Sequence, residues 1–247
     1  MRDAPHPDWI VPDWPAAGRV RSLVTTRAGG VSAGKFASLN LSARVGDDPR
    51  CVARNRAILR ACLSAEPAWM RQVHGAAVID AERATPETEA DGAVTRRPGS
   101  VCAVLTADCL PVFVSDRAGR AAGIAHAGWR GLAAGVIESV VQALGVSPSE
   151  TIAYIGPGIG ASRYEVGDEV RRSFVDKDPG AAAAFMPSRG GKCFADLYAL
   201  ARRRFAAAGV TEVYGGGLCT ASDERFFSFR RDRTTGRMAS LVWLEDD

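Results

Sequence analysis

Two uninterrupted apolar runs, residues 101–105 (Val-Cys-Ala-Val-Leu) and 110–114 (Leu-Pro-Val-Phe-Val), are separated by the short break Thr106-Ala107-Asp108-Cys109. Runs of this length suit strands buried on both faces, although periodicity alone leaves helix open. A turn at Asp116-Arg117-Ala118-Gly119-Arg120 then folds residues 112–114 back on 121–125 as a hairpin. Buried strands need layers on either side, and the rest of the chain is read for them.

A β-branched stretch at residues 20–26 reads as a first strand. Asp48-Pro49 opens a helix whose apolar face carries Val52, Ile58, Leu59, Cys62 and Leu63. Short strands are expected at 69–73, 78–79 and 92–95. A helix follows over 131–144, with Gly145 just past its end. The last third reads as a strand at 152–155, helices at 167–175 and 195–208, and strands near Val213, Phe226 and Leu241. Strands arrive in clusters between well-separated helices, which predicts an α+β fold with mixed sheets flanked by helices. No composition break divides the 247 residues. Residues 1–18 read as an N-terminal extension without an independent fold, and 19–247 as a single catalytic domain.

Several function classes drop out. No stretch approaches 18 apolar residues, and the N-terminus has no apolar run of the signal-peptide kind, so a cytoplasmic protein with no membrane partner is expected. A net charge of +3 does not point to nucleic acid. Six cysteines with no C-x-x-C spacing read as reduced thiols. Gly29 to Lys35 spells G-x-x-x-x-G-K, but Phe36 stands where a P-loop needs Ser or Thr. The glycines instead permit a sharp turn that would bring Arg27, Ser38 and Asn40 to one edge of a pocket.

The chemistry-bearing residues are few. Besides His6, the histidines are His74, in Gln72-Val73-His74-Gly75, and His126, in His126-Ala127-Gly128-Trp129-Arg130-Gly131. With Cys109 they lie at strand ends beside Gly or Pro, 35 and 17 residues apart. Two imidazoles and a thiolate make a sensible three-ligand zinc site with an open fourth position. The same atoms serve a second chemistry, in which Cys109 is a nucleophile, His126 its base, and Asp108 or Gln72 the orienting group. A core cysteine beside two structural histidines is the plain alternative. Arg130 and Arg230 are candidates for an anion, because a guanidinium fork fits phosphate.

Taken together the motifs resemble the YfiH-type family of laccase-domain, or polyphenol oxidase, proteins now described as purine nucleoside phosphorylases. The matching segments include Thr25-Thr26-Arg27, Gly29-Gly30-Val31-Ser32, Ser38-Leu39-Asn40-Leu41, Gly46-Asp47-Asp48, Gln72-Val73-His74-Gly75 and Asp91-Gly92-Ala93-Val94-Thr95. Further on they include Thr106-Ala107-Asp108-Cys109-Leu110-Pro111, His126 to Gly131, Tyr164-Glu165-Val166-Gly167 and residues 226–232. The resemblance implies an α/β/β/α sandwich-like domain in which His74, Cys109 and His126 are catalytic and hold zinc. It implies phosphate-dependent cleavage of adenosine, inosine, guanosine and methylthioadenosine, with adenosine deamination as a second reaction. Copper also comes with the family, but a blue site with a trinuclear cluster needs far more histidine than this chain has. Arg27, Asn40, Gln72, Trp129, Arg130 and Arg230 are the expected substrate contacts, with Phe36, Gln72 and Trp129 as candidate partners of the purine ring. The alternatives are a Cys–His hydrolase that edits peptidoglycan precursors and a non-enzymatic module binding nucleoside or metal. Two departures stand out: Gly158 where the family commonly has Cys, and Phe229 where Tyr is usual.

Overall fold

The central strands are buried along nearly their whole length, and the alternating direction of their side chains sets the layers. The computed structural model describes residues 3–246; Met1, Arg2 and Asp247, at the outer ends of the expected extension and domain, lie outside the described residues. β1 (Val20–Val24), β13 (Met238–Leu244), β5 (Val101–Thr106) and β2 (Pro67–Ala68) lie side by side as a four-stranded sheet. β12 (Glu212–Gly215), β8 (Thr151–Ile155), β6 (Leu110–Asp116), β7 (Ala122–Ala127), β4 (Gly92–Thr95) and β3 (Val78–Asp80) form a six-stranded one. A small third sheet joins β10 (Phe185–Pro187), β11 (Cys193–Ala195) and β9 (Glu165–Val166).

The alternation assigns every face. In β5, Cys102 and Val104 point between the two large sheets, where they meet Phe113, Ile124 and Val242. Val101 and Ala103 point the other way, into a cluster with Leu241, Trp243, Trp9 and Leu59 of α1 (Pro49–Ala61). In β6, Leu110, Val112 and Val114 face away from that inter-sheet layer toward α3 (Val136–Leu144) and α5 (Leu197–Ala207). Both apolar runs are therefore strands, and the layers are helix, sheet, sheet, helix. Mixed sheets flanked by helices are what the sequence predicts, and the hairpin forms as expected, with Val114 opposite Gly123. All six cysteines are free thiols. The N-terminal segment lies on the domain: Ile10 bridges Val24, and the Trp9 indole donates to the Ala28 carbonyl.

Four local expectations are corrected. The helix expected over 131–144 is two helices, α2 (Trp129–Ala134) and α3, because Gly135 between them is left-handed at φ 95°. The strand expected at 69–73 is only β2, after which Arg71 makes a single bridge to Glu89. No strand forms at Phe226. The apolar pair Phe226–Phe227 is instead buried with Ala107 and Met238, and Ser228 caps the short helix α6 (Phe229–Asp232). The fifth long helix starts at Leu197, where the Asp196 carboxylate accepts from the Ala199 amide. Between these last elements, α4 (Asp168–Val175) closes the helical layer beside Phe174 and Phe185.

Candidate metal centre and its cavity

Hairpin registration brings the three sequence-distant residues together. His126 stands opposite Pro111 in the β6–β7 pair, two residues from Cys109 in the turn between β5 and β6. The turn after β7 must lie close to Cys109, and Gly128 allows it: a Cβ there would sit 2.7 Å from the Cys109 sulfur and 3.3 Å from the His74 ring. His74 arrives from the loop before β3. The imidazoles of His74 and His126 meet edge to face with centroids 4.7 Å apart. One ligand atom from each of His74, Cys109 and His126 lies within 4.8 Å of the others.

Asp91, immediately before β4, organises two of the three. One carboxylate oxygen lies 2.8 Å from His126 Nδ1 and accepts from the His74 amide at 3.0 Å. The other accepts from the amides of Val73 and Gly75 at 3.1 and 2.7 Å. Because the carboxylate is an acceptor, Nδ1 of His126 carries the proton and Nε2 is the nitrogen left for the centre. The same bonds hold His74 in a left-handed conformation, φ 60°, that costs a non-glycine residue about 1 kcal/mol or more. Asp108, φ 96°, is held likewise: it accepts from the Thr220 hydroxyl and the Arg230 amide, both at 2.6 Å. Asp91, not Asp108 or Gln72, is thus the group that orients His126.

The electrostatics follow the contacts. Burial works to raise the Cys109 thiol, but the imidazoles of His126 and His74 outweigh it and bring it down to about 6. Burial works to lower His126, yet the Cys109 sulfur and the Asp91 carboxylate raise it to about 9. Asp91 is depressed: its burial is overcome by His126 and the loop amides. The pair is a thiolate beside an imidazolium, the two charge states a metal would use once it displaced the imidazolium proton.

This donor set fits a metal. Tetrahedral zinc at ordinary Zn–N and Zn–S lengths needs ligand atoms roughly 3.3–3.6 Å apart, so the 4.8 Å limit asks for a contraction of at most about 1.5 Å. Two imidazoles, one thiolate and a carboxylate behind one imidazole are the pattern of an open three-ligand site.

The centre opens into a cavity of about 490 Å³, within the size range of small-molecule sites. Of the residues expected to contact substrate, Trp129, Arg130 and Arg230 line it, and Phe36 does not. Gln72 lines it too, but both ends of its amide are bonded to the Leu105 backbone, at 2.8 and 2.9 Å. Arg27 and Asn40 are not among the lining residues. The Arg27 Nε donates to the Ala37 carbonyl, and its guanidinium lies 5.0 Å above the Phe227 ring. Asn40 is fully buried, donates to the Ser42 carbonyl and accepts from the Arg237 amide. It holds two segments that do reach the cavity. Ser42, Arg44, Tyr164 and Arg237 also line it and were not among the expected contacts, and Phe229, where the family usually has Tyr, lines it as well. Ile159 also lines it, on the glycine loop whose Gly158 leaves no room for a Cβ beside Leu110.

Comparison with known proteins agrees with this architecture. Residues 21–245 match the family described as multi-copper polyphenol oxidoreductase laccase. The chain is 52% identical over 240 residues to a purine nucleoside phosphorylase of Pseudomonas aeruginosa, covering 96% of this chain and 99% of that one. It is 48% identical to the purine nucleoside phosphorylase YfiH of Escherichia coli, covering 95% and 98%. Among solved structures, a Neisseria meningitidis protein aligns with a TM-score of 0.95 at 48% identity, covering 97% and 100%. YlmD from Geobacillus stearothermophilus aligns at 0.86 and 33%, covering 93% of each chain.

Proposed function

This chain belongs to the multi-copper polyphenol oxidoreductase laccase family, and on that premise we propose that it is a purine nucleoside phosphorylase, as its relatives are named. The observation that carries the reading is the single cavity in which the His74–Cys109–His126 group faces four arginines. The substrates are purine nucleosides (adenosine, inosine, guanosine and methylthioadenosine) together with phosphate.

In the reaction the C1′–N9 bond breaks and its electron pair goes to the purine. An oxygen of monohydrogen phosphate bonds to C1′, and the phosphate proton ends on the released base. Arg44, Arg130, Arg230 and Arg237 favour the phosphate dianion by charge alone. The faces of Trp129 and Phe229 offer the purine an apolar surface, in place of the bonded amide of Gln72. His74, Cys109 and His126 would hold a zinc ion, with Asp91 leaving His126 Nε2 free to ligate. When bound, the ion would supply Lewis acidity. Deamination of adenosine, in which water adds at C6 and ammonia leaves, is a second reaction of the same site.

Incubation with inosine tests this directly. Hypoxanthine and ribose 1-phosphate are expected only when phosphate is present. Free ribose formed without phosphate overturns phosphorolysis, and nucleoside binding with neither product points to a binding module.

One observation favours a second reading. Asp91, His126 and Cys109 stand in the order orienter, base, nucleophile, with a depressed thiol. A Cys–His hydrolase acting on peptidoglycan precursors would use that alignment without metal. It keeps its activity in chelator, whereas the phosphorylase loses turnover when stripped and regains it with zinc.

A further inference from the structure

Four guanidinium groups line the cavity, but they are not equivalent. Arg44 donates to the Pro86 carbonyl at 2.9 Å, Arg230 to Glu165 at 2.8 Å, and Arg237 to Thr235 and Gly236 at 2.9 and 3.0 Å. Arg130 has no hydrogen-bond or ion-pair partner among the described residues. Its guanidinium carbon lies over the Trp129 indole, 4.5 Å from the ring centroid. A cation–π contact of that kind holds the group in place while using none of its five N–H donors. The one carboxylate of the lining, Asp108, is already occupied by Thr220 and the Arg230 amide. Among the described residues no carboxylate pairs with Arg130.

Placement adds to this. Arg130 is two residues beyond Gly128, whose backbone rests against the Cys109 sulfur and the His74 ring. The Tyr164 hydroxyl also lacks a hydrogen-bond partner among the described residues, and the Tyr164 ring is stacked under Arg230 at 5.0 Å. Burial, with Cys109 nearby, pushes the Tyr164 phenol above its ordinary range, so it remains a proton donor at neutral pH. An unpaired guanidinium fork and a neutral phenol lining the same cavity, neither with a hydrogen-bond partner among the described residues, match a tetrahedral oxyanion.

We propose that Arg130, stacked on Trp129 and aided by the Tyr164 hydroxyl, is the residue that binds the inorganic phosphate consumed in the reaction. The assignment rests on the phosphorylase reading for the role of the phosphate, and on the cavity geometry for the place.

Two measurements test it. In steady-state phosphorolysis of inosine, Arg130→Gln raises the KM for phosphate by about 10–100-fold, the loss of a charge-assisted pair. The KM for inosine stays within a factor of about two. Arg130→Lys, which keeps the charge without the fork, falls between. An unchanged phosphate KM, or an equal rise in both constants, overturns the assignment. The second measurement needs no turnover: phenylglyoxal labelling of Arg130 in the intact protein, read by mass spectrometry. Inorganic phosphate should slow labelling of Arg130 and leave exposed Arg96 unaffected. Protection by adenosine 5′-monophosphate but not by phosphate means the oxyanion belongs to an esterified substrate and overturns the proposal. If the wild-type protein cleaves no nucleoside, the phosphorylase reading fails by itself, and the labelling result still decides the phosphate site.

Discussion

Replacing Asp91 by Asn tests the organisation of the centre most sharply, because it preserves shape and removes charge and acceptors. The native carboxylate receives four N–H groups: one oxygen serves His126 Nδ1 and the His74 amide, the other Val73 and Gly75. An amide keeps one acceptor oxygen and turns an NH₂ toward the other two donors, whichever way it is flipped. Two donors lose their acceptor, the loop amides being part-buried and His126 buried, at roughly 1–3 kcal/mol each, for a total of about 2–6 kcal/mol. In a domain of this size that lowers the melting temperature by roughly 5–20 °C. His126 loses the charge that fixes its tautomer, and metal affinity should fall about 10–100-fold. The assay is a thermal melt of the stripped protein, paired with zinc competition against a chromophoric chelator. Melting within a degree or two of wild type and unchanged zinc affinity refute the orienting role. Lost stability with full zinc affinity would leave Asp91 only as the tie for residues 73–75.

Three further outcomes follow from the same geometry. The purified protein carries close to one zinc per chain by elemental analysis, and His74→Ala loses most of it; unchanged metal content removes His74 from the ligand set. In stripped protein, iodoacetamide alkylates Cys109 with a pH midpoint near 6, since the depressed thiol is thiolate above that value and protonated below it. Zinc slows this reaction, and equal rates with and without metal contradict ligation. Gly128→Ala places a methyl 2.7 Å from the Cys109 sulfur, so it should cost about 1–3 kcal/mol and most of the metal affinity. A variant with wild-type melting and zinc content contradicts the close packing of that turn.

The parts of this molecule legible in the sequence are those with short-range causes. Residues 101–105 and 110–114 could only be buried strands once a turn followed them, and their alternation then assigns both sheet faces. His74, Cys109 and His126 stood out because each sits at a strand break beside glycine or proline, where a side chain is displayed. Asp91 did not, because its role depends on the β4–β7 register, which sets Gly92 beside Ala125 and so Asp91 beside His126. Arg237 escaped notice for a similar reason: its amide is anchored 197 positions away on Asn40. The expected strand at Phe226 failed because two adjacent aromatics satisfied burial in a pocket with Met238, and Ser228 then offered a helix cap. Arg27 and Asn40 share this logic, being bonded to the loops that carry the cavity wall rather than to its interior.

The family description speaks of several coppers, and the donor set decides how far that chemistry extends to this chain. Of its three histidines, His6 lies beside Trp9, with ring centroids 6.2 Å apart, and its Nδ1 accepts from the Asp8 amide. His74 and His126 are used together at one centre with one thiolate. A blue copper site takes two imidazoles and a thiolate by itself, which leaves only His6 here, too few for a trinuclear cluster. One mononuclear centre is therefore what these residues support. Multi-copper oxidase chemistry would require that further cluster, whereas Lewis-acid use requires only a substrate within reach. The cavity provides for the second: aromatic faces at Trp129 and Phe229, and a free guanidinium at Arg130.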